Sequence, residues 1–574
     1  MNPWNMLQYG VFLALLTVLV KPVGMYLVRV FDGGATPLDR VLVPIERAIY
    51  RLAGIDTKQA MSWKRYAMSF LLFSLAGTLL LYLILRLQPF GHPFDPLFKP
   101  ATLSPDLAMN TAISFATTTT WQAYGGESTM SYVSQMVGLA AQNFLAAAAG
   151  LAVGIAFIRG LARQRSGSIG NFWIDLTRSI LWVLLPLSLI GALILVWQGV
   201  PQNWSPYVSV TTLAGAPQTL PQGPVAALEF IKNLGTNGGG FFNTNGAHPY
   251  ANPTPLTNLL GMLAIAVLPA GLTYTLGCMT DQQRHGWLLF VVMALLFGAG
   301  LLLCDRAEQA GNPRIAALGV DQAMTALQPG GNMEGKEVRF GMGASVLTAI
   351  TTSNGATGST NSADDSYTPL GGGVLIFNML LGESIFGGLG TGIYSMLIMV
   401  LIAVFIGGLM VGRTPEYLGK TLNPVEMKLI ALYTIIGPLF VLPLTALAVT
   451  TQAGLAGLST NGGAHGFSEI FTAYITSMAN NGQNFGSLNA NTAFYNVTTA
   501  IAMTAGRFWL AIPALALAGQ FAAQGRRPET PGSLPLDGPL LGGLVIGSML
   551  IIGGLSYLPA LAMGPIIEHL WLYP

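Results

Sequence analysis

The sequence predicts an all-α polytopic membrane protein: four pseudo-repeats of span, half-helix, polar loop and span, with one extra span at each end. Three observations predict it. Hydrophobic residues make up 52% of the 574 and charged residues 9%, against about 25% charged in a soluble domain. Ten apolar stretches approach the roughly 20 residues that a helix needs to cross a bilayer. Four of the connections between them repeat one pattern, a short helical stretch followed by a run of Thr, Ser, Asn and Gly.

The ten stretches lie at 6–30, 66–88, 131–158, 174–198, 254–279, 285–304, 372–411, 427–450, 491–522 and 537–561. The first lacks a basic leading segment, and its apolar run continues past any small-residue cleavage site. It is expected to be a retained span rather than a signal. The seventh is long, and GGLGTG at 387–392 predicts a break in its middle. The expected divisions are 1–63 for the first span and its loop, 64–165, 166–282, 283–422 and 423–530 for the four repeats, and 531–574 for the last span. Cys278 and Cys304 flank apolar runs without a CxxC, so both are expected as unpaired, packed thiols. The net charge of +2 points to no partner, and no nucleic-acid interaction is expected.

Lys and Arg placement predicts the orientation. Arg40, Arg47, Arg51, Lys58, Lys64 and Arg65 follow the first span. Arg159, Arg163, Arg165 and Arg178 follow the third, and Arg284, Arg413, Lys420, Lys428, Arg526 and Arg527 continue the series. These connections are expected on the cytoplasmic side, with both termini outside. The opposite connections, 89–130, 199–253, 305–371 and 451–490, are longer. All but the third are poor in base.

Those longer connections carry the repeated pattern: LAMNTAISFATTTTWQAYGG (107–126), VAALEFIKNLGTNGGGFF (225–242), ASVLTAITTSNGATGSTNS (344–362) and FSEIFTAYITSMANNGQNFG (467–486). The helical parts, of roughly 10–13 residues, are too short to span and suit re-entrant helices. Flexible backbone such as TNGGG at membrane depth is tolerated where it is buried in protein or lines an aqueous cavity. Four such loops around one axis can form a ring of carbonyl oxygens that replaces the hydration shell of a K⁺-sized cation, as in a K⁺ channel. Gly permits φ > 0, and Thr, Ser and Asn add oxygens and bracing. Each half-helix points its partially negative end at its loop.

Catalytic chemistry is not expected. There is no GxxxxGK[ST] phosphate loop, and GGLGTG lies in a span rather than after a soluble strand. His92, His248, His285, His465 and His569 are scattered without metal-ligand spacing. No bound cofactor is expected, only a transported ion.

TNGGGFFN and HPYANPT (236–254), TSNGA (352–356), GRTPEYLGK (412–420) and NNG followed by NTAFYN (480–496) resemble the potassium-binding component of the bacterial Kdp-type potassium-transporting ATPase, from about residue 5 to the C-terminus. The resemblance implies a K⁺-channel-like four-repeat fold and a multi-pass location in the bacterial inner membrane. It also implies a complex with three other components: a P-type ATPase that hydrolyses ATP, a single-span protein and a small peptide. This chain has no DKTG phosphorylation motif of its own.

Carried residue by residue, the resemblance places filter strands at Thr118, Thr119 and Thr120; Thr236, Asn237 and Gly238; Ser353, Asn354 and Gly355; and Asn480, Asn481 and Gly482. It gives Gln122 a position that influences K⁺ affinity. Some relatives have Asn at the positions of Thr118 and Thr120, and Cys at that of Asn354. TGSTNSADD (357–365) reads as an insertion beside the third strand, with no assigned role.

Charges within spans are the second signal. Arg507 lies inside an apolar run and reads either as a pin bonded to backbone carbonyls or as a cation below the filter that steers K⁺ sideways; the resemblance supports the latter. Glu383, just before the break, either binds the broken helix or attracts the ion. For Arg413 the resemblance implies a cytoplasmic contact with the P-type ATPase. Two functions remain: the ion-selecting component of a pump, or a self-sufficient channel or ion-coupled carrier. Fold alone does not separate them. GRTPEYLGK and the broken span favour the pump.

Overall fold

Hydrocarbon offers a backbone amide no partner, so a spanning chain satisfies its own amides as helix. The computed structural model describes residues 2–88, 102–325, 327–410, 412, 414–528 and 534–573. Among these, ten helices are long and apolar enough to cross a membrane, and they fall on the ten expected stretches. The first half comprises α1 (Pro3–Asp32), α2 (Asp39–Leu52), α3 (Trp63–Leu87), α4 (Pro105–Ala116), α5 (Ser134–Ala162), α6 (Phe172–Trp197), α7 (Val225–Leu234) and α8 (Pro255–Met279). The second half comprises α9 (Gln283–Gln309), α10 (Gly341–Asn354), α11 (Pro369–Leu380), α12 (Thr391–Met410), α13 (Pro424–Thr450), α14 (Gly463–Met478), α15 (Ala493–Ala523) and α16 (Pro539–Leu572).

The helices start where local chemistry satisfies their first amides. Ser104 before α4 accepts from the amide of Leu107, and Thr368 before α11 from that of Gly371, each with Pro at the first position. Thr254 with Thr257 and Asn423 with Glu426 form reciprocal caps on α8 and α13, again followed by Pro. A side-chain acceptor plus a Pro that has no amide to satisfy is a strong start signal.

Four helices stop short. α4, α7, α10 and α14 have 12, 10, 14 and 16 residues, about 15–24 Å at 1.5 Å per residue. None reaches across a hydrocarbon core of roughly 30 Å. Each lies between two spans, giving four units: α3–α4–α5, α6–α7–α8, α9–α10–α11/α12 and α13–α14–α15.

Burial separates the two spans of each unit. In the leading spans α3, α6, α9 and α13, the most apolar stretch is 22, 44, 44 and 28% buried. In the trailing spans α5, α8, α12 and α15 it is 89, 67, 61 and 67% buried. The trailing spans therefore form the interior. The leading ones turn residues such as Leu72, Leu75 and Leu79 outward, as a surface facing lipid must. Where α5 and α6 meet their basic connection, Arg159 pairs with Asp175 at 2.9 Å and Arg178 with Glu46 at 2.9 Å.

The break in the seventh stretch is present, and it is longer and earlier than GGLGTG. α11 ends at Leu380 and α12 starts at Thr391. Between them Gly382, Glu383, Phe386 and Gly390 take φ of 69°, 60°, 46° and 89°, which no right-handed helix accommodates. Two small hairpins, Val208–Thr211 with Pro217–Leu220 and Glu416–Tyr417 with Lys420–Thr421, sit in connections outside the helices. Arg413 lies outside the described residues.

Candidate functional site: a closed ring of four loops

Each half-helix ends in the same way. One capping residue follows, Thr117, Gly235, Gly355 or Ala479. Then comes a left-handed residue: Thr118 (φ 65°), Thr236 (52°), Ala356 (47°) or Asn480 (51°). A middle residue with ordinary φ follows, Thr119, Asn237, Thr357 or Asn481. A second left-handed position closes the strand: Thr120 (47°), Gly238 (93°), Gly358 (79°) or Gly482 (83°). Left-handed residues other than Gly are uncommon and cost about 1–2 kcal/mol each. Their recurrence at matching places in all four loops marks a shape the fold enforces.

The loops close on one another in cyclic order. The Thr120 hydroxyl donates to the Asn237 carbonyl. A Cβ on Gly238 would lie 1.5 Å from the Thr357 oxygen, one on Gly358 2.5 Å from the Asn481 oxygen, and one on Gly482 2.0 Å from the Thr119 oxygen. The third residue of each strand thus abuts the middle carbonyl of the next, and the fourth loop returns to the first. Three of these contacts leave no room for a side chain. At the fourth, Thr120 uses its hydroxyl, which also accepts from the Gly239 amide at 2.7 Å.

The third strand is therefore 356–358. Ser353 and Asn354 are the last two residues of α10, and Gly355 is its cap; the assignment of Ser353, Asn354 and Gly355 to the strand is corrected by three residues. The triplet SNG resembles TNG and NNG, and this likeness favours the wrong register. The matching feature is four residues, GTNG, GATG and ANNG, counted from the helix end. Ser353 and Asn354 bond within or beside their helix: Asn378 of α11 donates to Ser353 Oγ at 3.0 Å, and Asn354 donates to the Ile350 carbonyl at 3.0 Å. TGSTNSADD accordingly begins with two strand residues, Thr357 and Gly358.

Side chains brace the ring from behind. Gln122 clamps the first loop to the second: its Oε1 accepts from the Gly240 amide at 2.9 Å, and its Nε2 donates to the Gly240 carbonyl at 3.0 Å. Asn245 donates to the Gly238 carbonyl at 2.7 Å and accepts from Lys232 at 2.7 Å. Lys232, fully buried, also pairs with Glu229 at 2.8 Å. Asn481 donates to the Thr352 and Ser353 carbonyls at the end of α10, at 3.0 and 3.2 Å. Asn480 donates to Thr119 Oγ1 at 2.9 Å and to the Met503 carbonyl of α15 at 2.9 Å. Sequence spacing does not expose the Lys232–Asn245 brace, although KNLGTNGGGFFNTN carries both residues.

The broken segment seats directly against the helix-side end of the ring. The Leu389 amide donates to Thr236 Oγ1 at 2.8 Å, and a Cβ on Gly388 would lie 3.3 Å from that of Ala356. Glu383 is buried, with its Oε2 2.9 Å from that same Gly388 position. Arg507 lies in a π-helical turn of α15, Ala505–Trp509, a local widening common at functional sites. Its Nη2 donates to the Ala146 carbonyl at 2.9 Å, while its Nε has no partner. A Cβ on Gly150 would meet both Arg507 Nη2 (2.9 Å) and the Leu389 oxygen (2.5 Å), so Arg507 and the broken segment flank the same point of α5. No ion pair joins Glu383 and Arg507 among the described residues. Beside them opens a cavity of about 90 Å³, lined by Glu383, Thr391, Tyr433, Met478, Gly506 and Tyr557.

Residues 10–570 match the family of the potassium-transporting ATPase A subunit. The chain is 51% identical to a potassium-transporting ATPase potassium-binding subunit of Methylorubrum extorquens, over 99% of this chain and 97% of that one. It is 49% identical to one of Koribacter versatilis, over 100% and 99%. Its path also resembles that of the potassium transporter TrkH from Vibrio parahaemolyticus, with 13% identity, a TM-score of 0.47, and coverage of 71% of this chain and 77% of that one. With a family match across nearly its whole length and relatives at about half identity end to end, this multi-pass membrane protein belongs to the potassium-transporting ATPase A-subunit family.

Proposed function

We propose that the chain is the potassium-binding and translocating subunit of an ATP-driven K⁺ uptake complex. It selects K⁺ from the external side and passes it to a separate P-type ATPase. A single-span protein and a small peptide complete the assembly in the bacterial inner membrane. This chain has both termini outside and performs no catalysis. The name carried by its relatives supports the substrate and the complex.

The closed ring carries the reading. Left-handed residues on either side of one with ordinary φ allow successive carbonyls of a strand to turn toward one side. Four such strands in cyclic contact surround an axis with oxygens that substitute for the water around K⁺. The ends of α4, α7, α10 and α14 add partial negative charge beneath them. Thr118–Thr120, Thr236–Gly238, Ala356–Gly358 and Asn480–Gly482 are the filter, and Gln122 sets its spacing. The broken segment obstructs the straight path at Thr236 and Ala356. Arg507 raises a charge barrier there, and the cavity beside Glu383 offers the ion a lateral route.

The test is ATP hydrolysis by the purified complex, titrated with K⁺, Rb⁺ and Na⁺. Gly238→Asp places a side chain where the Thr357 carbonyl sits, at a φ of 93°. The strain of about 1–2 kcal/mol translates to roughly a tenfold rise in half-saturating K⁺, with a blurred preference over Rb⁺ and Na⁺. Unchanged half-saturation in the assembled mutant complex overturns the filter. Failure of a P-type ATPase to co-purify overturns the pump.

A further inference from the structure

Away from the ring axis, one group of side chains gathers three distant parts of the chain. His465 and Glu469 stand one turn apart on α14, the fourth half-helix. Asp365 follows the third strand by seven residues, and Glu568 comes from the end of α16. One ligand atom each from Asp365, His465 and Glu469 lies within 4.8 Å of the others. His465 Nε2 is 2.9 Å from Asp365 Oδ1, and its Nδ1 is 2.8 Å from Glu568 Oε1. Glu469 is fully buried: its Oε1 accepts from Asn461 at 2.8 Å, while its Oε2 has no hydrogen-bond partner. A buried carboxylate oxygen without a donor is costly unless a cation meets it. The His465 and Asp365 side chains keep 22% and 14% exposure, so an ion can reach the group.

We propose that Asp365, His465 and Glu469 form a binding site for a divalent transition-metal ion of the Zn²⁺ class. One imidazole nitrogen and two carboxylate oxygens suit that ion, and three protein ligands leave a fourth position for water. Glu568 on Nδ1 is the carboxylate that orients a metal-bound imidazole and leaves Nε2 as the ligating atom. Bond lengths of about 2.0–2.2 Å place ligand atoms roughly 3.3 Å apart, a modest contraction of the present group. Binding displaces the proton between His465 Nε2 and Asp365, so occupancy falls as pH falls. The ion ties the segment after the third strand to the helix that carries the fourth, and so braces two neighbouring quarters of the ring.

The experiment titrates the EDTA-stripped, purified complex with ZnCl₂ alone, by calorimetry. Wild type should bind one more Zn²⁺ than Glu469→Gln or His465→Gln complexes, and Glu568→Gln should weaken that site by about tenfold. K⁺-stimulated ATP hydrolysis in the absence of Zn²⁺, retained in Glu469→Gln, reports that the variant is assembled. Zinc-edge X-ray absorption on wild type, independent of any variant, should show one nitrogen and two carboxylate oxygens. Identical isotherms for wild type and both Gln variants, or an absorption spectrum without imidazole, overturn the site and leave His465 as an ion-paired staple.

Discussion

Gly358 and Asn354 separate the two possible registers of the third strand. Gly358 sits at φ 79°, with the Asn481 oxygen 2.5 Å from where a Cβ would be. Asn354 is helical and spends its amide on the Ile350 carbonyl of its own helix. Gly358→Ala should therefore raise half-saturating K⁺ by about tenfold, the equivalent of roughly 1.4 kcal/mol, while Asn354→Ala should change it by less than about threefold. Equal effects in a K⁺ titration of ATP hydrolysis would return the strand to 353–355. The same local logic explains why three ring positions are Gly and one is Thr. Thr120 alone meets its neighbour through a hydroxyl, which can shorten to a hydrogen bond where a methylene would clash.

Two elements carry charge where the surroundings decide its use. The π-turn of α15 aims Arg507 at the Ala146 carbonyl beside the broken segment. A positive charge at a helix centre costs about 2.5–3.5 kcal/mol on insertion scales. In the proposed role, a K⁺ passing at roughly 6–10 Å with an effective dielectric near 20 would meet a barrier of about 2 kcal/mol. Arg507→Gln should keep assembly and selectivity, while K⁺ transport per ATP falls in reconstituted vesicles; Arg507→Lys should be milder. Normal coupling in Arg507→Gln would make the residue a pin. Lys420 closes the Glu416–Thr421 hairpin onto the C-terminal ends of α5 and α15. It is buried, and it donates to the Gly160 carbonyl at 3.1 Å and the Phe521 carbonyl at 2.7 Å. Burial, with Arg526 nearby, pushes its ammonium down to about 8, so it remains mainly charged at neutral pH, facing two helix C-termini. Lys420→Met strands those carbonyls and should destabilise by about 2–4 kcal/mol. Thermal unfolding of the detergent-solubilised complex reads this, and an unshifted Tm refutes the pinning role.

For the whole molecule, the topology makes a labelling prediction. The basic connections and the ring lie at opposite ends of the spans. Arg284 is 88% exposed at its side chain, and Ser209 is exposed on the hairpin that follows α6. In a background with Cys278 and Cys304 replaced by Ala, an impermeant thiol reagent on intact cells should label Ser209→Cys and spare Arg284→Cys. The reverse pattern inverts the orientation and with it the direction of ion uptake. Lys420 would be a poor reporter for this purpose, because its burial blocks labelling from either side.

Local chemistry alone determined the ten spans, the four half-helices and the presence of a break in the seventh stretch. Apolar length, Pro and cap residues and runs of Gly act over a few residues, and a few residues are what a sequence displays. Three of the four strands were legible for the same reason. The third was not, because SNG and ATG are equally plausible by composition. Only the place where α10 ends, and the Asn481 carbonyl waiting against Gly358, decide between them. The Lys232–Asn245 brace, the seating of Leu389 on Thr236, and the meeting of Asp365 with His465, a hundred residues apart, likewise belong to the tertiary structure. Each depends on a contact between units whose geometry is set by helices packing in three dimensions, which no local pattern encodes.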